Sequence, residues 1–157
     1  MALFLSTYVN KVDRKGRVSV PAPYRLELAG QRYNGIIAFA SFDEDYDAIE
    51  ACGIDRMDAL SAGVDEFNPF SDKNRAFSHA LFGASSQLGF DSEGRVMLPE
   101  RLRSHAGIVE HAAFVGQGAT FQIWDPDALA KYQETALRHA RENSADLRLP
   151  QSQRKPE

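Results

Sequence analysis

Asp13-Arg14-Lys15-Gly16-Arg17-Val18-Ser19-Val20-Pro21 is written twice in this chain, returning as Asp91-Ser92-Glu93-Gly94-Arg95-Val96-Met97-Leu98-Pro99. Without a gap, Asp13, Gly16, Arg17, Val18, Pro21 and Arg25 fall on Asp91, Gly94, Arg95, Val96, Pro99 and Arg103. A repeat of this kind marks a duplicated structural module. What is shared is turn formers, apolar strand positions and arginines. No nucleophile or metal ligand is duplicated apart from the aspartate. The repeat therefore points to a tandem binding module, not to a catalyst.

Each copy reads as a local fold. A β-prone run precedes it, Phe4 to Val12 in the first and Ala84 to Phe90 in the second. Asp-x-x-Gly then predicts a tight hairpin turn. The carboxylate accepts turn amides, and glycine supplies the positive φ that closes a type I turn with a bulge. After the glycine, Arg17 to Val20 and Arg95 to Leu98 continue as strands. Side chains alternate along a strand, so Val18 and Val20 share one face while Arg17 and Ser19 share the other. Pro21 and Pro99 end the strands and suit the first turn of a helix. Gly30 and Gly107 stop those helices.

Apolar strands follow, Ile36 to Phe42 in one half and Ala112 to Trp124 in the other, the latter interrupted by Gly116-Gln117-Gly118. A helix start is expected at Asp43 and again at Asp125, each followed by acids in its first turn. The intervening segment, 53–83, reads as an acidic linker: Ile54 to Asp65 is polar and glycine-interrupted, and Ser71 caps a connecting helix that Gly83 stops. Leu129, Tyr132 and Ala136 mark one stripe of a C-terminal helix. Gln151 to Glu157 is expected as a flexible tail.

The net charge of −4 conceals a segregation. Residues 1–40 carry Lys11, Arg14, Lys15, Arg17, Arg25 and Arg32 against Asp13 and Glu27. Residues 41–72 carry Asp43, Glu44, Asp45, Asp47, Glu50, Asp55, Asp58, Asp65, Glu66 and Asp72 against Arg56 alone. Charge asymmetry of this kind is a better guide to partners than the sum. Charge runs are more often solvated surface than site, but here the cations cluster on the repeated motif.

Other function classes find little support. Cys52 is the single cysteine, so no internal disulfide is possible and a reducing, cytoplasmic setting is expected. No apolar run approaches the roughly 20 residues of a membrane helix. His79, His105, His111 and His139 show no His-Glu-x-x-His pattern, and no phosphate-binding Gly-x-x-x-x-Gly-Lys loop exists. No metal, cofactor or small-molecule substrate is expected, and the chain does not read as an enzyme.

The tandem Asp-x-x-Gly-Arg-Val-x-Val/Leu-Pro motif, with Phe4-Leu5-Ser6-Thr7-Tyr8, Phe82-Gly83-Ala84 and Phe121-Gln122-Ile123-Trp124-Asp125, resembles the MraZ family over roughly Leu3 to Gln133. The resemblance implies an α+β fold of two tandem AbrB-like modules of swapped-hairpin type with short helices, forming a pseudo-two-fold small barrel. Residues 3–52 and 84–132 would be the two modules, and 133–157 a helix end and tail. It further implies a nucleoid-associated transcriptional regulator of the division and cell-wall gene cluster. Such a regulator binds short repeated boxes in double-stranded DNA as a dimer-based ring.

On that reading Arg17 reads bases, and Lys15, Arg14, Lys11 and Arg25 contact DNA around it. Asp13 supports the turn, where it can also form a salt bridge to Arg17. Asp91, Arg95 and Arg103 form a weaker second site, because Ser92 and Glu93 replace Arg14 and Lys15. The competing readings are a non-catalytic oligomeric protein scaffold whose acidic segment recruits a partner, and an AbrB-like antitoxin.

Overall fold

Both Asp-x-x-Gly turns form, but the strands on either side of each turn do not pair with one another. In the computed structural model, which describes residues 1–156, the first half runs β1 (Thr7–Lys11), β2 (Arg17–Ser19), α1 (Ala22–Leu28), β3 (Gly35–Ala40), β4 (Ile49–Cys52) and α2 (Ile54–Asp65). A connecting helix, α3 (Asp72–Phe77), widens into a π turn over Ser78–Gly83. The second half repeats the plan as β5 (Ser86–Gly89), β6 (Arg95–Met97), α4 (Glu100–Ala106), β7 (His111–Gly116), β8 (Phe121–Trp124) and α5 (Pro126–Glu142). The fold is α+β.

Two compact units divide the chain, Met1–Pro126 and Asp127–Glu157. In the first, a six-stranded antiparallel sheet has the order β1-β7-β8-β4-β3-β5, and β2 and β6 form a separate two-stranded ribbon. Exchanging the halves turns that order into itself read backwards. The first strand of each half is an edge that pairs with the other half, Tyr8 facing Phe114 and Leu88 facing Ile36. The expected hairpins are thus opened out, with the repeats interleaved within one chain. The sheet is not closed: where the resemblance implied a small barrel, the ladder ends at β1 and β5.

Alternation along the strands explains why the ribbon sits where it does. Ile36, Ala38, Ile49, Ala51, Ala112, Phe114, Phe121 and Ile123 share one core with Val18 and Val96 of the ribbon and Leu102 of α4. Tyr24 of α1 lies at its centre, its ring 5.0 Å from Phe121 and 5.3 Å from Phe4. The Tyr24 hydroxyl donates to the Ser6 carbonyl at 2.7 Å. A second cluster joins Ile37, Phe39 and Cys52 to Met57 and Val64 of α2 and to Leu81. Burial pushes the Cys52 thiol up to about 12.

Two expectations require correction. No helix begins at Asp43. Its carboxylate accepts the Asp45 amide at 2.9 Å within a turn, and β4 follows. An aspartate accepting an amide two residues on serves a turn as readily as a helix cap, and Ile49–Cys52 is too short to show a period. The stretch read as a polar linker holds a helix of 12 residues, α2, whose Met57 and Val64, seven apart, bury one side. Ser71 does cap α3, accepting the Asn74 amide at 3.1 Å.

Between β4 and β8 lies a polar patch. Gln122 donates to Glu50 at 2.8 Å and to the Tyr46 hydroxyl at 3.1 Å. Burial raises the Glu50 carboxyl above its ordinary value and takes Tyr46 up to about 12. In the second unit, Leu129, Tyr132 and Ala136 are less exposed than Lys131, Gln133 and Glu134, as the helical stripe requires. Short 3-10 turns occupy Ser144–Asp146 and Gln151–Gln153 in the segment read as tail; Glu157 lies outside the described residues. Among the described residues no helix is long and apolar enough to cross a membrane.

Candidate nucleic-acid interface

Asp13 uses both carboxylate oxygens to build its turn. One accepts the amides of Lys15 at 3.0 Å and Arg17 at 2.8 Å, and the other accepts Nε of Arg17 at 2.7 Å. The turn closes through Gly16, at φ 87°, whose amide donates to the Asp13 carbonyl at 3.0 Å. The Arg17 amide, with the guanidinium beside it, holds the Asp13 carboxyl below the usual carboxylate range. The salt bridge expected between Asp13 and Arg17 therefore exists, and it leaves a DNA role for Arg17 open. With Nε held by Asp13, the two terminal nitrogens of Arg17 have no other partner among the described residues.

The second turn repeats this almost atom for atom. Asp91 accepts the amides of Glu93 and Arg95, both at 2.9 Å, and Nε of Arg95 at 2.8 Å, around Gly94 at φ 76°. The Arg95 amide lowers the Asp91 carboxyl in the same way. The difference is Glu93, which stands where the first copy has Lys15 and ion-pairs with a terminal nitrogen of Arg95 at 3.2 Å. The charge change visible in the sequence thus has a geometric consequence: the second arginine is occupied at both ends.

Pairing of β2 with β6 puts the two arginines on one surface. Arg17 lies opposite Met97, Val18 opposite Val96, and Ser19 opposite Arg95. Val18 and Val96 are each 1% exposed, so Arg17, Ser19, Arg95 and Met97 occupy the outward face, Met97 being 54% exposed. Strands in such a ribbon lie roughly 4.8 Å apart, and a two-stranded ribbon fits the DNA major groove. Arg14 and Lys15 are exposed on the adjoining turn, and Lys11 is exposed at the end of β1. The side chain of Asn10, also on β1, donates to the Ser19 carbonyl at 2.8 Å and ties that strand to the ribbon.

Arg25 and Arg103 take a different place. Each donates Nε to the carbonyl of the residue just past its own repeat's ribbon strand, Arg25 to Val20 at 3.1 Å and Arg103 to Leu98 at 3.0 Å. Each guanidinium then lies against the glycine of the other repeat's turn. A Cβ on Gly94 would sit 2.7 Å from Arg25, and one on Gly16 would sit 3.1 Å from Arg103. Beside Arg25 a cavity of about 240 Å³ is lined also by Asn34, Phe90, Asp91 and Ser92. The structure thus gathers Arg17, Lys15, Arg14 and Asp13 at one turn and Arg95 and Asp91 at the other, with Arg25 and Arg103 packed against the turns. Strand alternation already put Ser19 on the face of Arg17; sequence reasoning missed Met97, which only the pairing of β2 with β6 brings opposite Arg17.

Comparison with known proteins finds relatives of this chain. Residues 81–149 match a family model described as "MraZ protein, putative antitoxin-like". A protein of Rickettsia canadensis named transcriptional regulator MraZ is 48% identical over 94% of this chain and 98% of its own length. A protein of the same name from Pelagibacter ubique is 47% identical over 93% of each chain.

Proposed function

The chain belongs to the MraZ family, and from that premise we propose that it is a transcriptional regulator whose two interleaved AbrB-like repeats present one β-ribbon to the major groove of double-stranded DNA. The observation that carries this reading is the state of Arg17. It projects from the ribbon's outward face, is fixed at Nε by Asp13, and keeps its terminal nitrogens for a ligand. Two such nitrogens match the O6 and N7 acceptors of guanine, a contact worth about 1–3 kcal/mol against a wrong base.

Arg14, Lys15 and Lys11 supply the phosphate contacts from which most DNA affinity derives. Asp13 stays a turn support, since phosphate repels it. Arg95 and Asp91 form the weaker half of the ribbon, because Glu93 neutralises the guanidinium beside it. So few cations bind weakly alone. Several copies in a dimer-based ring, set on repeated boxes, gain through effective concentration. The target is the division and cell-wall promoter, in a nucleoid-associated cytoplasmic protein that uses no metal, cofactor or substrate.

A gel-shift series tests the reading, using the duplex upstream of the chain's own coding sequence and a mixed-sequence duplex of equal length. Wild type is expected to prefer the first, with affinity falling as salt rises. Arg17→Ala is expected to lose that preference. Undiminished selective binding by Arg17→Ala would sink the assignment, and salt-independent or absent binding would favour a protein-only scaffold.

A further inference from the structure

We propose that Arg103, in the second repeat, is the positioning residue for the DNA-reading turn of the first. The inference rests on the DNA-binding reading above and deepens it. A single residue, Leu98, links the two repeats at this point. The Leu98 amide donates to the Gly16 carbonyl at 2.9 Å, and the Leu98 carbonyl accepts Nε of Arg103 at 3.0 Å. The guanidinium lies flat enough on the turn that a Cβ at Gly16 would meet Arg103 Cζ, Arg103 Nε and the Leu98 carbonyl oxygen, all at 3.1 Å. Arg103 therefore holds both the strand end that anchors Gly16 and the peptide surface of Gly16 itself. The next residue is Arg17.

The mirror arrangement belongs to the other turn. The Val20 amide donates to the Gly94 carbonyl at 3.1 Å, and Arg25 donates to the Val20 carbonyl at 3.1 Å. The braces are crossed, so sequence position misleads. Arg25 lies in the basic segment 1–40 but supports the neutralised second turn, while Arg103, far from that segment in sequence, supports the basic one. Arg103 thus sets the aim of Arg17 without itself touching DNA.

Chain chemistry separates this role from a charge contact. Glutamine carries a nitrogen at the same distance along the side chain as arginine Nε, so Arg103→Gln keeps the bond to Leu98 and loses the charge. Lysine keeps the charge and has only carbon at that position. Positioning ranks affinity as wild type, then Gln, then Lys. A phosphate contact or a general electrostatic effect ranks Lys above Gln.

The experiment measures fluorescence-anisotropy titrations of the full-length chain on the two duplexes used above, over a series of salt concentrations. Arg103→Lys is expected to weaken promoter binding about tenfold, within the value of one lost base contact, while Arg103→Gln stays within about threefold. The salt slope should be unchanged, because a lost phosphate contact would lower it by about 0.9. Arg25→Lys, which loosens the weaker turn, is expected to lower affinity less than Arg103→Lys does. Amide hydrogen exchange, read without DNA, should quicken at Lys15, Gly16 and Leu98 in Arg103→Lys, and at Gly94 and Val20 in Arg25→Lys.

Wild-type affinity in Arg103→Lys, the order Lys above Gln, or a fallen slope overturns the proposal. If Arg103→Lys does not fold, Arg103→Gln decides alone: near-wild-type affinity with unchanged slope supports the brace, and a fallen slope overturns it. Loss of binding in Arg17→Ala alongside intact Arg103→Lys removes only the brace. Intact binding in Arg17→Ala removes the reading beneath it.

Discussion

Truncating the valines that face one another inside the ribbon tests whether the two repeats pair as described. Val18 and Val96 sit opposite each other at 1% exposure, with the core beneath them. Valine to alanine removes two methyl groups. At about 0.8 kcal/mol each, with a cavity term added, either change should cost about 2–3 kcal/mol. In a domain of this size that lowers the melting temperature by about 4–12 °C.

The double variant carries the decisive information. Once one methyl pair is gone its partner has already lost packing, so the second truncation should cost less, with a coupling of about 0.5–1 kcal/mol. Val64, which is buried in the other cluster, supplies the reference. Val18→Ala with Val64→Ala should be additive within about 0.5 kcal/mol. Urea denaturation followed by circular dichroism gives all the required free energies. A Val18/Val96 coupling no larger than the Val18/Val64 value would refute the pairing of the two motif strands.

Other outcomes follow from single features. Tyr24→Phe removes the bond to Ser6 inside the core, and a loss of about 1–2 kcal/mol in the same urea assay is expected. Gly35→Ala puts a Cβ on the Leu88 carbonyl oxygen, a backbone atom that cannot yield without separating β3 from β5; a loss near 3 kcal/mol, or failure to fold in the soluble fraction, is expected. Glu50 has a folded-state pKa above its unfolded value, so its contribution is present below the unfolded pKa and is lost as pH rises through the folded one. Glu50→Gln should therefore melt like wild type near about pH 4 and higher than wild type near about pH 8, and the reverse order would contradict the burial argument. Asp13 and Asp91 have the opposite sign: their stabilisation is present above the unfolded value and fades as pH falls through the lowered one. Asp13→Asn should flatten that acid limb of a melting-temperature profile.

What the sequence disclosed, and what it withheld, divides along range. The turns were legible because their chemistry is local: Asp13 reaches amides two and four residues on, and Gly16 must take a positive φ. The alternation of Arg17 with Val18 was legible for the same reason. Strand partners were not. A turn that looks like a hairpin joins two strands which each find better partners in the other repeat, and nothing near Arg17 in sequence announces Met97. The same holds for Arg25 and Arg103. Their cationic character suggested DNA, while their hydrogen bonds to Val20 and Leu98 depend on how the helices return over the ribbon. The strand β4 escaped because four residues leave no period, and α2 because few of its residues face the core.

The central claim is that the outward face of the β2–β6 ribbon meets DNA. Cys52 is buried and its thiol is raised to about 12, so a single introduced cysteine can be labelled selectively. Ser19→Cys, exposed on that face, and Ala59→Cys, exposed on α2, would each carry the same photo-crosslinker and be irradiated with promoter duplex. Crosslinking from position 19, suppressed by Arg17→Ala and by rising salt, with little from position 59, is the predicted result. Equal crosslinking from both positions, or crosslinking from position 59 alone, would contradict it.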